Sequence, residues 1–303
     1  MKNNDELKKG VVYAFVTAII SGIAIFYSKI SVAKIPPLIL TTSRNLYVAL
    51  LFISLFIIRG HLGRLKKLTK KQLLFLFFIG LIGGSLPFYL FFTGLSLVDP
   101  QTANLIHKTL FIWVTFLAVV FLKEKLNFPF LISFFLIFTA NFLWAKLPLS
   151  FGWGEGLILL ATFFWATENI LAKKILKEVS SETVGLFRMT IGSMILLSLI
   201  FLQGKGEIFF TFDWPKLTVI LVGGTLLFFY VFFWYKALKY TPSSLATLIL
   251  SFSTVVGNLL NGAFIKAKLL PNDIFSSISI TLAIFVIFQI SFFTKKFAIK
   301  KNG

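Results

Sequence analysis

Ten stretches of the chain run for 18 to 22 residues with almost no charge: 11–30, 38–58, 72–92, 101–122, 128–145, 155–172, 183–202, 217–238, 244–265 and 273–293. Within each, apolar residues are continuous rather than alternating, which predicts helices and argues against the period-two pattern of a membrane barrel. A helix crossing about 30 Å of hydrocarbon takes roughly 20 residues. The pattern therefore predicts ten transmembrane helices.

The polar gaps orient them. With the N-terminus in the cytoplasm, 20 of the 30 Lys and Arg residues fall in cytoplasmic segments, 7 fall outside, and Arg44, Lys108 and Arg188 lie within spans. Lys and Arg gather on the cytoplasmic side of membrane proteins, so both termini are expected inside. "MKNNDELKKG" enters the first span without a small-residue cleavage site and is read as the lead into an uncleaved helix. Trp153 and Trp214 fall at expected interfaces.

Composition agrees with the pattern. The chain is 57% hydrophobic and its mean hydropathy is +0.91, beyond what a soluble domain of 303 residues could bury. A net charge of +19 would suggest nucleic acid in a soluble protein. Here it is topogenic, and no nucleic-acid partner is expected. Absence of cysteine excludes disulfides and thiolate metal sites, and two histidines, His61 and His107, leave little for a metal centre. No Walker A loop, no Ser-His-Asp spacing and no metal-ligand spacing appears, so neither a cofactor nor an enzyme activity is expected.

The chain is duplicated. "GLSLVDPQTANLIHKTLFIWVTFLAVVFLKEKL" (94–126) aligns without gaps on "ALKYTPSSLATLILSFSTVVGNLLNGAFIKAKL" (237–269), an offset of 143. Gly10, Lys29, Arg44 and Gly60 match Gly154, Lys173, Arg188 and Gly204 at an offset of 144. The domains are read as 1–145 and 146–303, five spans each. Five is odd, so the second repeat enters the membrane from the opposite face. An inverted repeat of this kind suits alternating access.

These features resemble the drug/metabolite transporter superfamily, specifically its EamA-type ten-helix carriers. The resemblance rests on Arg44 in the second span, "T-A-N-L" entering the fourth and "F-L-K-E-K-L" ending it, repeated as Arg188, "S-L-A-T-L" and "F-I-K-A-K-L". It makes Arg44, Arg188 and Glu124 family-motif residues. It implies a cavity between the halves, formed by spans one to four and six to nine, with spans five and ten peripheral. The sequence departs from the family in two places. Ala267 stands where the second repeat would carry the counterpart of Glu124, and no proline lies near Leu110 or Phe111 in the fourth span.

Candidate site residues follow from polarity where polarity is costly. Lys108 lies about 10 Å deep in the fourth span, where a charge costs about 2.5–3.5 kcal/mol on insertion scales. It is read as a cation for a substrate carboxylate or phosphate, against a snorkelling alternative; its repeat mate is Ser251. His107, about 100° round the helix, would relay protons or pack neutral. Glu168 is the only acid well inside a span and the candidate for a coupling proton. Asn104, Tyr89, Trp165, Asn169 and Tyr230 complete the candidate substrate-binding set. Gly83, Gly84 and Pro87 in span three, with Gly223 and Gly224 in span eight, are expected to interrupt those helices and line the cavity.

The expected function is secondary transport of a small metabolite across a prokaryotic plasma membrane, with export of an amino acid or related compound as the first reading. Uptake or exchange of an anionic or nucleoside-like metabolite is the rival, and a lipid-acting membrane enzyme the reading from another class. The expected partners are the substrate, the bilayer and a coupling proton, in a monomer or homodimer.

Overall fold

The computed structural model describes residues 2–31, 34–98, 100–142, 151–266 and 268–300. Ten helical segments follow one another: α1 (Lys2–Ser31), α2 (Pro37–Ile58), α3 (Lys70–Leu95), α4 in two pieces (α4a Pro100–Lys108, α4b Leu110–Leu122), α5 (Phe128–Phe142), α6 (Trp153–Ile175), α7 (Ser181–Leu202), α8 (Trp214–Tyr240), α9 in two pieces (α9a Ser243–Leu250, α9b Ser253–Asn261) and α10 (Pro271–Lys300). Among the described residues nine helices are long and apolar enough to cross a membrane, and α5, described over Phe128–Phe142, is a shorter apolar helix. The expected boundary between the repeats, at 145, falls outside the described residues, as does Ala267.

Local chemistry fixes the helix ends. Thr69 and Gln72 form a reciprocal capping box at the start of α3, with Thr69 N donating to Gln72 Oε1 at 3.0 Å and Gln72 N to Thr69 Oγ1 at 3.2 Å. Ser180 Oγ accepts from Thr183 N at 3.2 Å ahead of α7, and Asp213 Oδ1 accepts from Lys216 N at 2.9 Å ahead of α8. Each satisfies an amide that the helix itself leaves unpaired.

The packing repeats under exchange of the two halves. Helix α1 packs on α8 as α6 packs on α3, and α1 meets α9 as α6 meets α4. Helix α2 meets α8 as α7 meets α3. The pairs α2–α7, α4–α9 and α5–α10 each join a helix to its own repeat mate. That is the pattern of a two-fold relation between five-helix units, and an odd number of crossings inverts one unit relative to the other.

Two close approaches lock the halves. Gly84 on α3 meets Gly192 on α7, where a Cβ on Gly192 would lie 2.5 Å from the Gly84 carbonyl oxygen. Phe52, fully buried on α2, fills the space beside Gly185 on α7. Around this seam Phe56, Leu76, Ile79, Leu196 and Leu238 are buried almost completely.

The two pieces of α4 and α9 pack unequally. The halves nearest the face that holds the chain's N-terminus, α4b and α9a, contact each other, whereas α4a and α9b have no comparable packing among the described residues. The two interrupted helices thus meet through the pieces nearest the terminal face.

Candidate functional site

Two helix interruptions sit at equivalent places. Helix α4 breaks at Thr109, where tight bonds run from Thr109 N to Ile106 O at 3.0 Å and from Ile112 N to Thr109 O at 2.9 Å. Thr109 Oγ1 also donates to Ile106 O at 2.6 Å and accepts from Trp113 Nε1 at 3.1 Å. Helix α9 breaks at Ser251 and Phe252, with Ser251 N donating to Leu248 O at 3.2 Å and Phe252 N to Ile249 O at 3.0 Å. Lys108 and Ser251, matched at an offset of 143, are the residues that end the first piece of each helix or follow it. No proline is needed: the Thr109 amide and hydroxyl both bond the Ile106 carbonyl, which tightens the turn at the break.

Both breaks face one cavity of about 290 Å³. Lys108, His107, Asn104, Trp165, Asn169, Tyr230 and Ser251 line it, as do Glu168 and Arg188. Tyr89 does not. Its neighbour Phe88 does, because side chains one residue apart on a helix diverge by about 100°. Asn141 on α5 also lines the cavity, so α5 is less peripheral than expected. Its Nδ2 donates to Ile137 O at 2.8 Å and its Oδ1 has no partner among the described residues.

One wall is aromatic. The His107 ring stands edge-on to Trp165 at 5.2 Å and to Phe91 at 5.7 Å, while Phe88 stands edge-on to Trp165 at 5.2 Å. Tyr230 and Trp234 on α8 stack nearly parallel, 6.3 Å apart and 10° from coplanar. Trp234 Nε1 donates to Asn169 Oδ1 at 3.1 Å, and Asn169 Nδ2 to Trp165 O at 2.8 Å, which ties the two groups of rings together.

Beneath these rings lies a charged network. Glu168, 1% exposed, accepts a hydrogen bond from the Tyr235 hydroxyl at 2.6 Å. Arg188 Nη1 donates to the same hydroxyl at 3.3 Å, and Arg188 Nη2 to the Gly83 carbonyl at 3.2 Å. Trp165 Nε1 donates to that carbonyl too, at 3.2 Å, and Asn45 Nδ2 to the Gly84 carbonyl at 3.1 Å. Those carbonyls are available because α3 widens into a π-turn at Gly80–Ser85. Tyr235 carried no distinguishing signal in the sequence; it is one of several rings along α8.

The paired glycines therefore serve a different purpose from the one expected. Neither Gly83, Gly84 and Pro87 nor Gly223 and Gly224 line the cavity. Gly83 gives room to Glu168 and Arg188, and Gly84 to the Arg188 backbone. Gly223 lies against the Arg44 guanidinium and Gly224 against Tyr47. Helix α8 is continuous from Trp214 to Tyr240, so only the span-three pair coincides with an interruption.

The two motif arginines share a setting and differ in partners. Arg44 Nη1 donates to Ser28 Oγ at 2.9 Å, while its Nε and Nη2 are buried without a partner among the described residues. Arg44 does not line the cavity; Arg188 does. The repeat mate of Glu168, at the offset of 144, is Ala24, which leaves the first arginine without a carboxylate.

Glu124 caps α9a. Its carboxylate accepts from Ser243 N at 2.6 Å, Ser244 N at 3.1 Å and Ser244 Oγ at 2.6 Å. Lys173 holds the end of α8, donating to Leu238 O at 2.5 Å and Thr241 O at 2.7 Å. Together they clasp the α8–α9 connection on the terminal face.

Comparison with known proteins agrees with this architecture. The EamA-like transporter family matches twice, over residues 8–145 and 152–289. The riboflavin transporter ImpX of Fusobacterium nucleatum is 27% identical over 257 residues, covering 76% of this chain and 83% of that protein. A solved crystal structure aligns with a TM-score of 0.75 at 15% identity, over 93% of this chain and 97% of that one, a likeness of fold. With both repeats matched, an all-helical bundle and a transporter among its relatives, this multi-pass membrane protein belongs to the EamA-like transporter family.

Proposed function

We propose that the chain is a secondary carrier for a flat, ring-bearing metabolite of the riboflavin kind, working by alternating access across a prokaryotic plasma membrane. The observation that carries this reading is the cavity between two interrupted helices, α4 and α9, with an aromatic wall built from Phe88, His107, Trp165, Tyr230 and Trp234. Aromatic faces hold a planar ring by stacking, and Asn104, Ser251 and Thr254 offer hydrogen bonds to its substituents. The ImpX relative supports a flavin as cargo. The aromatic wall favours such a molecule over the small amino acids that the sequence alone suggested.

The excess of Lys and Arg on the terminal face supports a cytoplasmic position for it. With that face inside, the contact of α4b with α9a and the Glu124–Lys173 clasp support a state closed to the cytoplasm. The repeats 1–145 and 146–303 exchange roles to open it. Glu168 acts here as the counter-charge of Arg188 through Tyr235, in place of a carrier of coupling protons. Direction follows the substrate gradient, since a reversible carrier is not rectified by its fold. The test is counterflow: proteoliposomes preloaded with riboflavin should accumulate labelled riboflavin, and Trp165→Ala should abolish it. Vesicles that fail to accumulate flavin despite a folded carrier would remove the reading.

A further inference from the structure

We propose that the cavity selects for a ring-bearing substrate with one anionic group, held by Lys108 at the α4 break. The inference rests on the carrier reading above and narrows its substrate class.

Charge balance is the first argument. Among the residues that line the cavity, only Lys108, Arg188 and Glu168 carry a formal charge apart from any on His107. Arg188 and Glu168 meet on the Tyr235 hydroxyl and offset each other. His107 is wedged between Phe91 and Trp165. Lys108 is then the one charge of the lining that no other lining residue offsets. Among the described residues that ammonium has no hydrogen bond and no ion pair. The acidic group whose field reaches it is Asp273, at the start of α10 and outside the cavity lining. A half-buried charge within a span, with no hydrogen bond or ion pair of its own among the described residues, suits a substrate that supplies the partner.

Position is the second argument. Asn104 lies one turn before Lys108 and lines the same cavity, so the two share a helix face. Ser251 and Thr254 come from the equivalent break in α9. An ammonium, an amide and two hydroxyls at the interruptions make a donor-rich end; Trp165, His107 and Phe88 make an apolar one. A molecule that satisfies both ends carries a carboxylate or phosphate at one end and a ring at the other.

The experiment uses the full chain purified in detergent and calorimetric titration with two matched pairs: flavin mononucleotide against riboflavin, and indoleacetate against indoleacetamide. Within each pair the ring is constant and the charge is not. The anionic member should bind about 10-fold more tightly or better, a difference of about 1.4 kcal/mol. Lys108→Gln and Lys108→Met should each equalise the pair, and Lys108→Arg should keep the preference. The two neutral variants differ in polarity, so one that fails to fold leaves the other to decide. Equal binding within both pairs, or a preference that survives loss of the ammonium, overturns the anion subsite. If both flavins are refused while the indoles discriminate, the flavin reading falls and the subsite stands. If all four are refused, both fall.

Discussion

Replacing Glu124 by Ala should open the closed face. The carboxylate makes three hydrogen bonds to the first residues of α9a, at 2.6, 3.1 and 2.6 Å. A hydrogen bond to a charged group contributes about 1.5–3 kcal/mol, and an N-cap about 0.5–2 kcal/mol. These bonds sit at the edge of the bundle, where water can replace part of them, so a total of about 2 kcal/mol is reasonable. The sequence puts Ala267 at the matching place in the second repeat, so this cap has no counterpart to offset it when the carrier inverts. Its loss should shift the balance toward the inward-open state by roughly 30-fold, at about 1.4 kcal/mol per tenfold. The chain has no cysteine, so a single introduced thiol reports alone. Thr247→Cys, 3% exposed on α9a, should react with an impermeant maleimide at least tenfold faster from the cytoplasmic face once Glu124 is removed. Asn104→Cys, on the open side, should react more slowly from outside. Unchanged rates at both positions, in a variant that folds and inserts normally, would refute the argument that this cap biases the carrier.

Other consequences follow from the same contacts. Gly84→Ala should destabilise the bundle by about 1–3 kcal/mol in a denaturation series, because its Cβ would strike the Arg188 backbone, which cannot move aside as a side chain can. Gly257→Ala, with open space around it, should be neutral or stabilising by up to about 1 kcal/mol. Tyr235→Phe should cost about 2–4 kcal/mol by leaving Glu168 and Arg188 without their shared hydroxyl. Combined with Glu168→Gln it should cost less than the sum, and full additivity of the two melting shifts would deny the network. Lys173→Met should lower thermal stability and raise labelling of Thr247→Cys, since it frees the last carbonyls of α8; an unaltered melting curve would count against the clasp.

The span pattern was legible because lipid leaves backbone groups no partner outside the helix, and continuous apolar runs are the result. The run at 38–58 corresponds to Pro37–Ile58 and the run at 183–202 to Ser181–Leu202. The cavity was legible as far as cost goes: Lys108, Asn104 and Glu168 stand out because polar groups are rare there. What sequence reasoning missed was geometric. Glycine pairs were expected to break helices, yet Gly223 and Gly224 sit in an unbroken α8 and accommodate Arg44 and Tyr47. The breaks that face the cavity, at Thr109 and Ser251, carry neither glycine nor proline; a threonine hydroxyl bonding a carbonyl three residues back looks like any other threonine in sequence. Tyr89 was chosen for its residue type and Phe88 passed over for its own, although helix phase decides which faces inward. Tyr235 and Asn141 gain their roles only from neighbours far away in the chain.

The central claim is that the two inverted halves open one cavity to alternate faces. Spin-label distances test it most directly. One pair, Leu97→Cys with Leu259→Cys, spans the open face, where both residues are exposed; a second, Lys125→Cys with Lys239→Cys, spans the closed face. Addition of transported substrate should shorten the first distance while lengthening the second. Uptake that proceeds with both distances fixed, or with both moving in the same sense, would contradict alternating access in this protein.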